Sequence, residues 1–248
     1  MQIILLGTGT SIPIPEKVHS GLLVKTLNNL FLFDCGSGVL HRIAQSGYDH
    51  LTINHVFFTH HHIDHNGDFL SLLKANYLRG NNELKVFGPK GTNEWLLNLF
   101  NAYQYLKGKF NLTIRELENK DKVILENDII DCRKTKHSLL NLAYKITSFK
   151  TSVVYSGDSE PCDEMAELCK NGVEILIHEC SFPDEASVPD HSSPSKLGEL
   201  IKDLPIKMLV LTHLYPEASK RKNEIVQTIS KYFKGKIIVA RDLLKIEV

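Results

Sequence analysis

The 248-residue sequence has no charge surplus of either sign: 29 Lys and Arg stand against 29 Asp and Glu, a formal net charge of zero. Proteins that grip long nucleic acids carry a basic excess or a basic stripe, and no overall excess is present here. Five cysteines, Cys35, Cys132, Cys162, Cys169 and Cys180, are odd in number, scattered, and without a C-x-x-C pair. That pattern argues against a disulfide framework and for reduced thiols in a cytosolic protein. No apolar run approaches the ~20 residues of a membrane span. The opening Met1-Gln2-Ile3-Ile4-Leu5-Leu6-Gly7 is apolar but short and has no basic lead, so it does not read as a signal peptide. Internal repeats, low-complexity tracts and obvious linkers are also missing. With 42% hydrophobic and 23% charged residues, the expectation is a soluble cytoplasmic protein, folded as one domain over residues 1–248.

The densest chemistry is in His60-His61-His62-Ile63-Asp64-His65. Four candidate metal ligands, His60, His62, Asp64 and His65, fall within six residues, directly after Val56-Phe57-Phe58-Thr59. That β-branched and aromatic run reads as a buried strand, so the histidines begin where a strand ends and a loop starts. In an extended segment, residues two apart point the same way. His60 and His62 can then grip one ion while Asp64 and His65 turn toward a second. Imidazole nitrogen suits zinc, and a carboxylate widens the choice to manganese or iron.

The rest of the chain reads as short strands and helices. Strands are expected at 2–6, 22–26, 30–33, 84–87, 152–155, 174–177, 207–211 and 236–240, with successive strands of a second sheet at 112–117, 122–125, 129–134 and 142–146. Helices are expected at 39–45, 68–78, 92–105, 161–170, 194–202 and 222–232. Gly7-Thr8-Gly9-Thr10 is a turn rather than a dinucleotide site, because Ile12 stands at the third glycine position and Pro13 and Pro15 follow. Asp34, at the exit of the third strand, either holds a turn or supports the metal loop. Arg133, Lys134 and Lys136 flank His137, either as solvated surface charges or as a group that draws in an anionic substrate.

The pattern H-x-H-x-D-H resembles the signature of the metallo-β-lactamase superfamily. The family's three later ligands have counterparts here, in order: His137 in Thr135-Lys136-His137-Ser138, Asp158 in Ser156-Gly157-Asp158-Ser159, and His213 in Leu211-Thr212-His213-Leu214. The matching pieces span most of the chain. The resemblance implies an α/β architecture of four layers, the αββα sandwich. It implies two divalent metal ions, zinc first and manganese or iron as alternatives. His60, His62 and His137 would hold one ion, Asp64, His65 and His213 the other, and Asp158 would bridge them. Two ions ~3.5–4 Å apart neutralise charge on an attacked phosphoryl or carbonyl centre and lower the pKa of water toward ~7.

His178-Glu179 and Asp190-His191-Ser192-Ser193 look like the H-E-A-T and H-S-T motifs of the ribonuclease Z branch and its phosphodiesterase relatives. Cys180-Ser181 and Ser193 depart from those motifs. The resemblance gives Glu179 and His191 a catalytic role as the pair that protonates the leaving oxygen, beside Asp64, which orients the nucleophile. The branch's tRNA-clamping arm would fall between His137 and Asp158, and that short interval has no room for it. The expectation is therefore a phosphodiesterase acting on a small diester or cyclic nucleotide, with tRNA 3′-processing endoribonuclease activity as the alternative. A lactonase, thioesterase or β-lactamase type of hydrolase would leave Glu179 and His191 without a task. A flavodiiron reductase would want a carboxylate where His62 stands. A weakly held homodimer is expected from the same resemblance.

Overall fold

The computed structural model describes residues 1–186 and 188–248. Two seven-stranded sheets face each other. The first contains β1 (Gln2–Gly7), β2 (Gly21–Lys25), β3 (Leu30–Phe33), β4 (His55–Phe57), β5 (Glu83–Pro89) and β6 (Asn111–Leu117) in spatial order. The second contains β7 (Lys122–Leu125), β8 (Asp128–Thr135), β9 (Asn141–Ser148), β10 (Thr151–Tyr155), β11 (Val173–Glu179), β12 (Ile206–Thr212) and β13 (Lys236–Val239), also in order. The final strand, β14 (Leu244–Glu247), returns to the first sheet and pairs antiparallel with β1, Gln2 opposite Glu247.

Strand alternation builds the layers. Side chains on successive residues point to opposite faces, and here both faces are apolar. Ile3 and Leu5 enter the core between the sheets, whereas Ile4 and Leu6 face the outer helices. Phe57 joins Phe31, Phe33, Phe87 and Tyr144 inside, while Val56 and Phe58 face out. The second sheet repeats this, with Val153, Tyr155, Ile175 and Ile177 inward and Val154 and Leu176 outward. Helices α1 (Val39–Ser46), α2 (Ile63–Asn66), α3 (Phe69–Leu78) and α4 (Thr92–Ala102) belong to the first half. Val39, Ile43, Phe69, Leu72 and Leu96 seal its outer face. Helices α5 (Asp163–Cys169), α6 (Pro194–Ile201), α7 (Pro216–Lys220) and α8 (Lys222–Ile229) cover the second sheet through Met165, Leu168, Leu197, Ile201 and Ile225. The result is the αββα sandwich.

Several details differ from the sequence reading. The strand expected at 112–117 belongs to the first sheet, where β6 runs parallel to β5 with Leu84 opposite Leu112. A helix between two strands makes a parallel crossover, and α4 is that helix. The helix expected to reach 105 ends at Ala102, followed by a 3₁₀ turn at Gln104–Leu106. The stretch after His62 is not a plain loop, because Ile63–Asn66 closes a helical turn. At the start of α6, Ser193 takes the cap position without a side-chain cap bond, and Asp184 accepts from Ser195 N–H and Oγ–H.

Candidate metal centre

The parallel strands end on one edge of the sandwich, and the side chains that follow them converge there, as ligand sites do at the carboxyl ends of α/β strands. β4 leads to His60, β8 to His137, β10 to Asp158 and β12 to His213, while Glu179 is the last residue of β11. The structure brings all seven expected ligands together. One atom each from His60, His62, His137 and Asp158 lies within 4.8 Å of the others, and so do those of Asp64, His65 and His213. His60, Asp64, His65, Asp158 and His213 form a buried floor, with His62, His137 and His191 on the open side. His61 points the other way, as strand alternation requires. Its ring stacks on Trp95 at 4.7 Å, and its Nε2 donates to Thr92 Oγ1 at 2.9 Å.

The rear nitrogen of four converging imidazoles is held by the protein, which fixes the tautomer and aims the front nitrogen. His65 Nδ1 donates to Asp34 Oδ2 at 2.7 Å, and His137 Nδ1 to the Asp190 carbonyl at 2.9 Å. Thr59 Oγ1 gives its one proton to Asp34, so at 3.0 Å it accepts from His60 Nδ1. Ser181 Oγ donates to the His213 carbonyl, so at 3.2 Å it accepts from His213 Nδ1. Nε2 of these four rings is left facing the centre. His62 presents Nδ1, which lies 3.0 Å from His60 Nε2 and 3.2 Å from His137 Nε2.

The backbone is shaped for this arrangement. Asp34, Asp190 and His213 all adopt left-handed conformations, with φ of 57°, 68° and 53°. Such geometry costs on the order of 1–3 kcal/mol at a non-glycine residue. Gly157, with φ of 58°, also has no room for a side chain, because a Cβ would lie 2.7 Å from Thr59 Cβ and Asn141 Oδ1. That glycine lets the β10 exit approach the β4 exit and delivers Asp158 next door.

The electrostatics fit a cation. Burial, and then the neighbouring His65, hold His60 well below the usual histidine range. Burial and His137 lower His62. His62 Nδ1 therefore stands close to His60 Nε2 and His137 Nε2 with burial disfavouring charge on His60 and His62. Burial would raise the carboxyls of Asp158 and Asp64, but His213 and His65 outweigh it and keep both ionised. Burial would likewise discharge His65, but Asp158 and Asp34 draw it well above its ordinary value. Fully buried, His65 Nε2 and Asp158 Oδ1 face each other at 3.3 Å without a well-aligned hydrogen bond. Buried polar atoms left poorly matched in this way call for a further group beside them. Seven mixed nitrogen and oxygen donors suit divalent ions and exceed the four of a closed structural zinc site.

Beside this cluster, His191 Nδ1 donates to Glu179 Oε1 at 3.0 Å. Glu179 is fully buried and also accepts from Ser159 N–H and Ser181 N–H. Burial would lower His191, but Glu179 overcomes it and raises the pKa. His191, Asp158 and His213 themselves offer ligand atoms within 4.8 Å of one another, so this pair opens onto the same centre. Phe182 and Tyr215 stack at 4.6 Å and flank His191 at 5.5 and 6.0 Å. The basic residues near His137 are largely occupied, Arg133 by Glu167 and Lys136 by Glu160. The parts played by Thr59, Ser181, Asp190, Phe182 and Tyr215 were not foreseen; Ser181 and Asp190 stand in the two motif stretches, and Thr59, Phe182 and Tyr215 carry no local pattern.

Comparison with known proteins agrees with this geometry. The ribonuclease Z of Methanosarcina mazei is 27% identical, covering 100% of this chain and 98% of the relative. The metallo-β-lactamase fold protein YhfI from Bacillus subtilis superposes with a TM-score of 0.82 at 24% identity, covering 99% of each chain. The short form of human tRNase Z does so with a TM-score of 0.81 at 21% identity, covering 100% of this chain and 99% of the other. The fold is the metallo-β-lactamase fold. A family model described as anti-Pycsar protein Apyc1 matches residues 1–235, and the chain belongs to that family.

Proposed function

We propose that the protein is a phosphodiesterase with two divalent metal ions, acting on a small diester such as a cyclic nucleotide. The observation that carries this is the Glu179–His191 pair placed against Asp158 and His213. An alkoxide leaving group needs a proton, and a histidine oriented by a buried carboxylate supplies one. Hydrolysis at a carbonyl of low leaving-group demand gives that pair no work.

Divalent cations held by His60, His62, His137, Asp64, His65, His213 and Asp158 would supply Lewis acidity and lower the pKa of water toward ~7. Asp64 Oδ2, 3.3 Å from His213 Nε2, orients the attacking water. His191 donates from Nε2 while Glu179 holds Nδ1 and stabilises the charged ring. The P–O bond breaks as that proton reaches the departing oxygen. Zinc is the first choice of metal for this nitrogen-rich set, with manganese and iron behind it.

Shortness supports a small substrate. Between His137 and Asp158 the chain is taken up by β9 and β10 and their connections. The alignment with the archaeal ribonuclease Z runs over 302 positions against 248 residues here, so that relative carries segments this chain lacks. The competing reading, cleavage at a tRNA 3′ end, draws on the names of the relatives. Two further inferences complete the proposal. Exposed Leu78, Tyr103 and Tyr105 at the ends of α3 and α4 offer an apolar face for a homodimer. All five cysteines are unpaired, which suits the cytoplasm, and no helix among the described residues is long and apolar enough to cross a membrane.

The test is hydrolysis of bis(p-nitrophenyl) phosphate by protein reloaded with zinc or manganese. Turnover should fall about 10³-fold or more in Asp64→Ala and only modestly in His191→Ala, because p-nitrophenolate leaves with little acid assistance. Precursor tRNA and cyclic nucleotides are then compared directly. An inactive metal-loaded wild type would defeat the diesterase reading and bring carbonyl substrates forward.

A further inference from the structure

A groove of about 520 Å³ opens beside the metal centre. Its walls are the loop 13–17, residues 216–222 and the exit of β13 at 240–242. Pro216 lies three residues after His213, so the groove begins no more than about 11 Å along the chain from a candidate ligand.

The groove has two kinds of surface. Pro13, Ile14, Pro15 and Pro216 contribute apolar, rigid lining. Lys17, Lys220, Lys222 and Arg241 contribute the cations. Two carboxylates are present, but Asp242 is already committed. It accepts from Thr8 N–H, Thr8 Oγ–H and Val18 N–H and pairs with Arg42. Asp242, already paired with Arg42, and Glu16 are the two carboxylates set against four cations. Among the described residues, Lys220, Lys222 and Arg241 form no ion pair with any carboxylate. In a protein of zero net charge, this concentration of unmatched cations stands out.

Lys17 is the innermost of the four. Its ammonium reaches Ser219 Oγ at 3.2 Å and the Thr8 carbonyl at 3.5 Å, which uses two of three donors. Burial, and then the charge of Lys222, bring its pKa down to about 8. A half-buried ammonium beside a second one, with a donor to spare, is a site short of an anion. The apolar lining adds that the anion carries a flat, poorly hydrated group, since ligand sites combine apolar walls with a few convergent polar groups.

We propose that this groove is a second binding site, separate from the metal centre, that takes a nucleoside monophosphate unit. The phosphate lies against Lys17, Lys222 and their neighbours, and the base lies against the proline lining. The unit is either a free nucleotide or one residue of a strand whose scissile bond is at the metals. The site does not depend on the hydrolytic reading, because it binds without reacting.

The test is calorimetric titration of metal-loaded protein with AMP, inorganic phosphate, adenosine and a short oligoadenylate. The double variant Lys17→Gln/Lys222→Ala should weaken one AMP site about tenfold or more, while bis(p-nitrophenyl) phosphate hydrolysis stays at the wild-type level. Lys220→Ala/Arg241→Ala, two exposed positions that cannot upset folding, should weaken the same site by a smaller factor. Glu16→Gln should tighten it. AMP is expected to bind more tightly than either phosphate or adenosine, and tighter binding of the oligoadenylate than of AMP would assign the site to a strand. AMP titrations that are unchanged in both double variants would overturn the proposal, as would inorganic phosphate binding as tightly as AMP. Loss of the AMP site in a protein that never hydrolyses a diester would support this site and count against the proposed reaction alone.

Discussion

The two sheets repeat one plan and use it differently. Each begins with antiparallel strands, β1 to β3 in one and β7 to β10 in the other, and continues with parallel ones. The first sheet delivers four candidate ligands from a single strand exit, within 60–65. The second delivers His137, Asp158, Glu179 and His213 one at a time, each from a different strand. Geometry in the first set is local: strand alternation aligns His60 with His62, and the turn α2 swings Asp64 and His65 inward. In the second set it depends on register, since a one-residue slip turns every side chain to the other face. The metal-facing half is thus built by chain conformation on one side and by sheet assembly on the other.

The contrast can be probed most strongly at Glu179, which belongs wholly to the assembled half. Glu179→Gln should slow cleavage of diesters with alkoxide leaving groups by about 10²-fold or more, and p-nitrophenolate release far less. The kcat is measured along a series of leaving groups. An equal drop along the series would mean that Glu179 serves only to hold Ser159 and Ser181.

Asp34 joins the halves and offers the next effect. Its Oδ2 accepts from His65 of the first half and from Tyr155 OH of the second, at 2.7 and 2.9 Å. Asp34→Asn should weaken metal binding about 10–100-fold, read by chelator competition. Tyr155→Phe should lower stability by about 1 kcal/mol in urea unfolding and leave metal affinity alone. If both changes weakened the metal equally, the halves would be coupled more tightly than this division allows.

The smallest effect lies away from the centre, at the opposite end of β4. His55 is buried against Phe31 and Phe87 with neither ring nitrogen bonded. Burial, and then Lys85, lower its pKa to about 4. The unfolded chain, with an ordinary value near 6.5, therefore takes up a proton that the folded protein refuses. This contribution to stability is complete above pH ~6.5 and is lost as pH falls toward 4. His55→Phe should flatten the pH dependence of stability in that window by up to one proton, without changing activity at pH 7. An unaltered slope would place the acid sensitivity elsewhere.

The same contrast explains what could be read in the sequence. His60, His62, Asp64 and His65 announce themselves because their ligand spacing is confined to six residues. His137, Asp158 and His213 are single letters at strand exits, and only the resemblance to a known pattern picks them out. Asp34 was open to two readings, turn or support, and does both: its φ is 57° and it holds His65. The parts played by Thr59 and Ser181 could not be found, because a hydroxyl that accepts from an imidazole has no signature until the fold brings the two together. The sheet assignment of β6 failed because strand propensity says nothing about partners, although the helix before it implied a parallel crossover. β14 was missed because Leu244-Lys245-Ile246-Glu247 is short and half polar.

That last strand has a consequence for how the protein is made. β1 leaves the ribosome before every other strand of the sandwich, yet one of its two backbone edges is covered only by β14, which leaves after all of them. Until β14 arrives, the nascent first sheet presents an unpaired edge backed by Ile3, Ile4, Leu5 and Leu6. Open edges of this kind template association with other chains. The window for such misassembly is the translation time of all the intervening chain, so synthesis at lower temperature or with a chaperone that shields strand edges should raise the soluble yield.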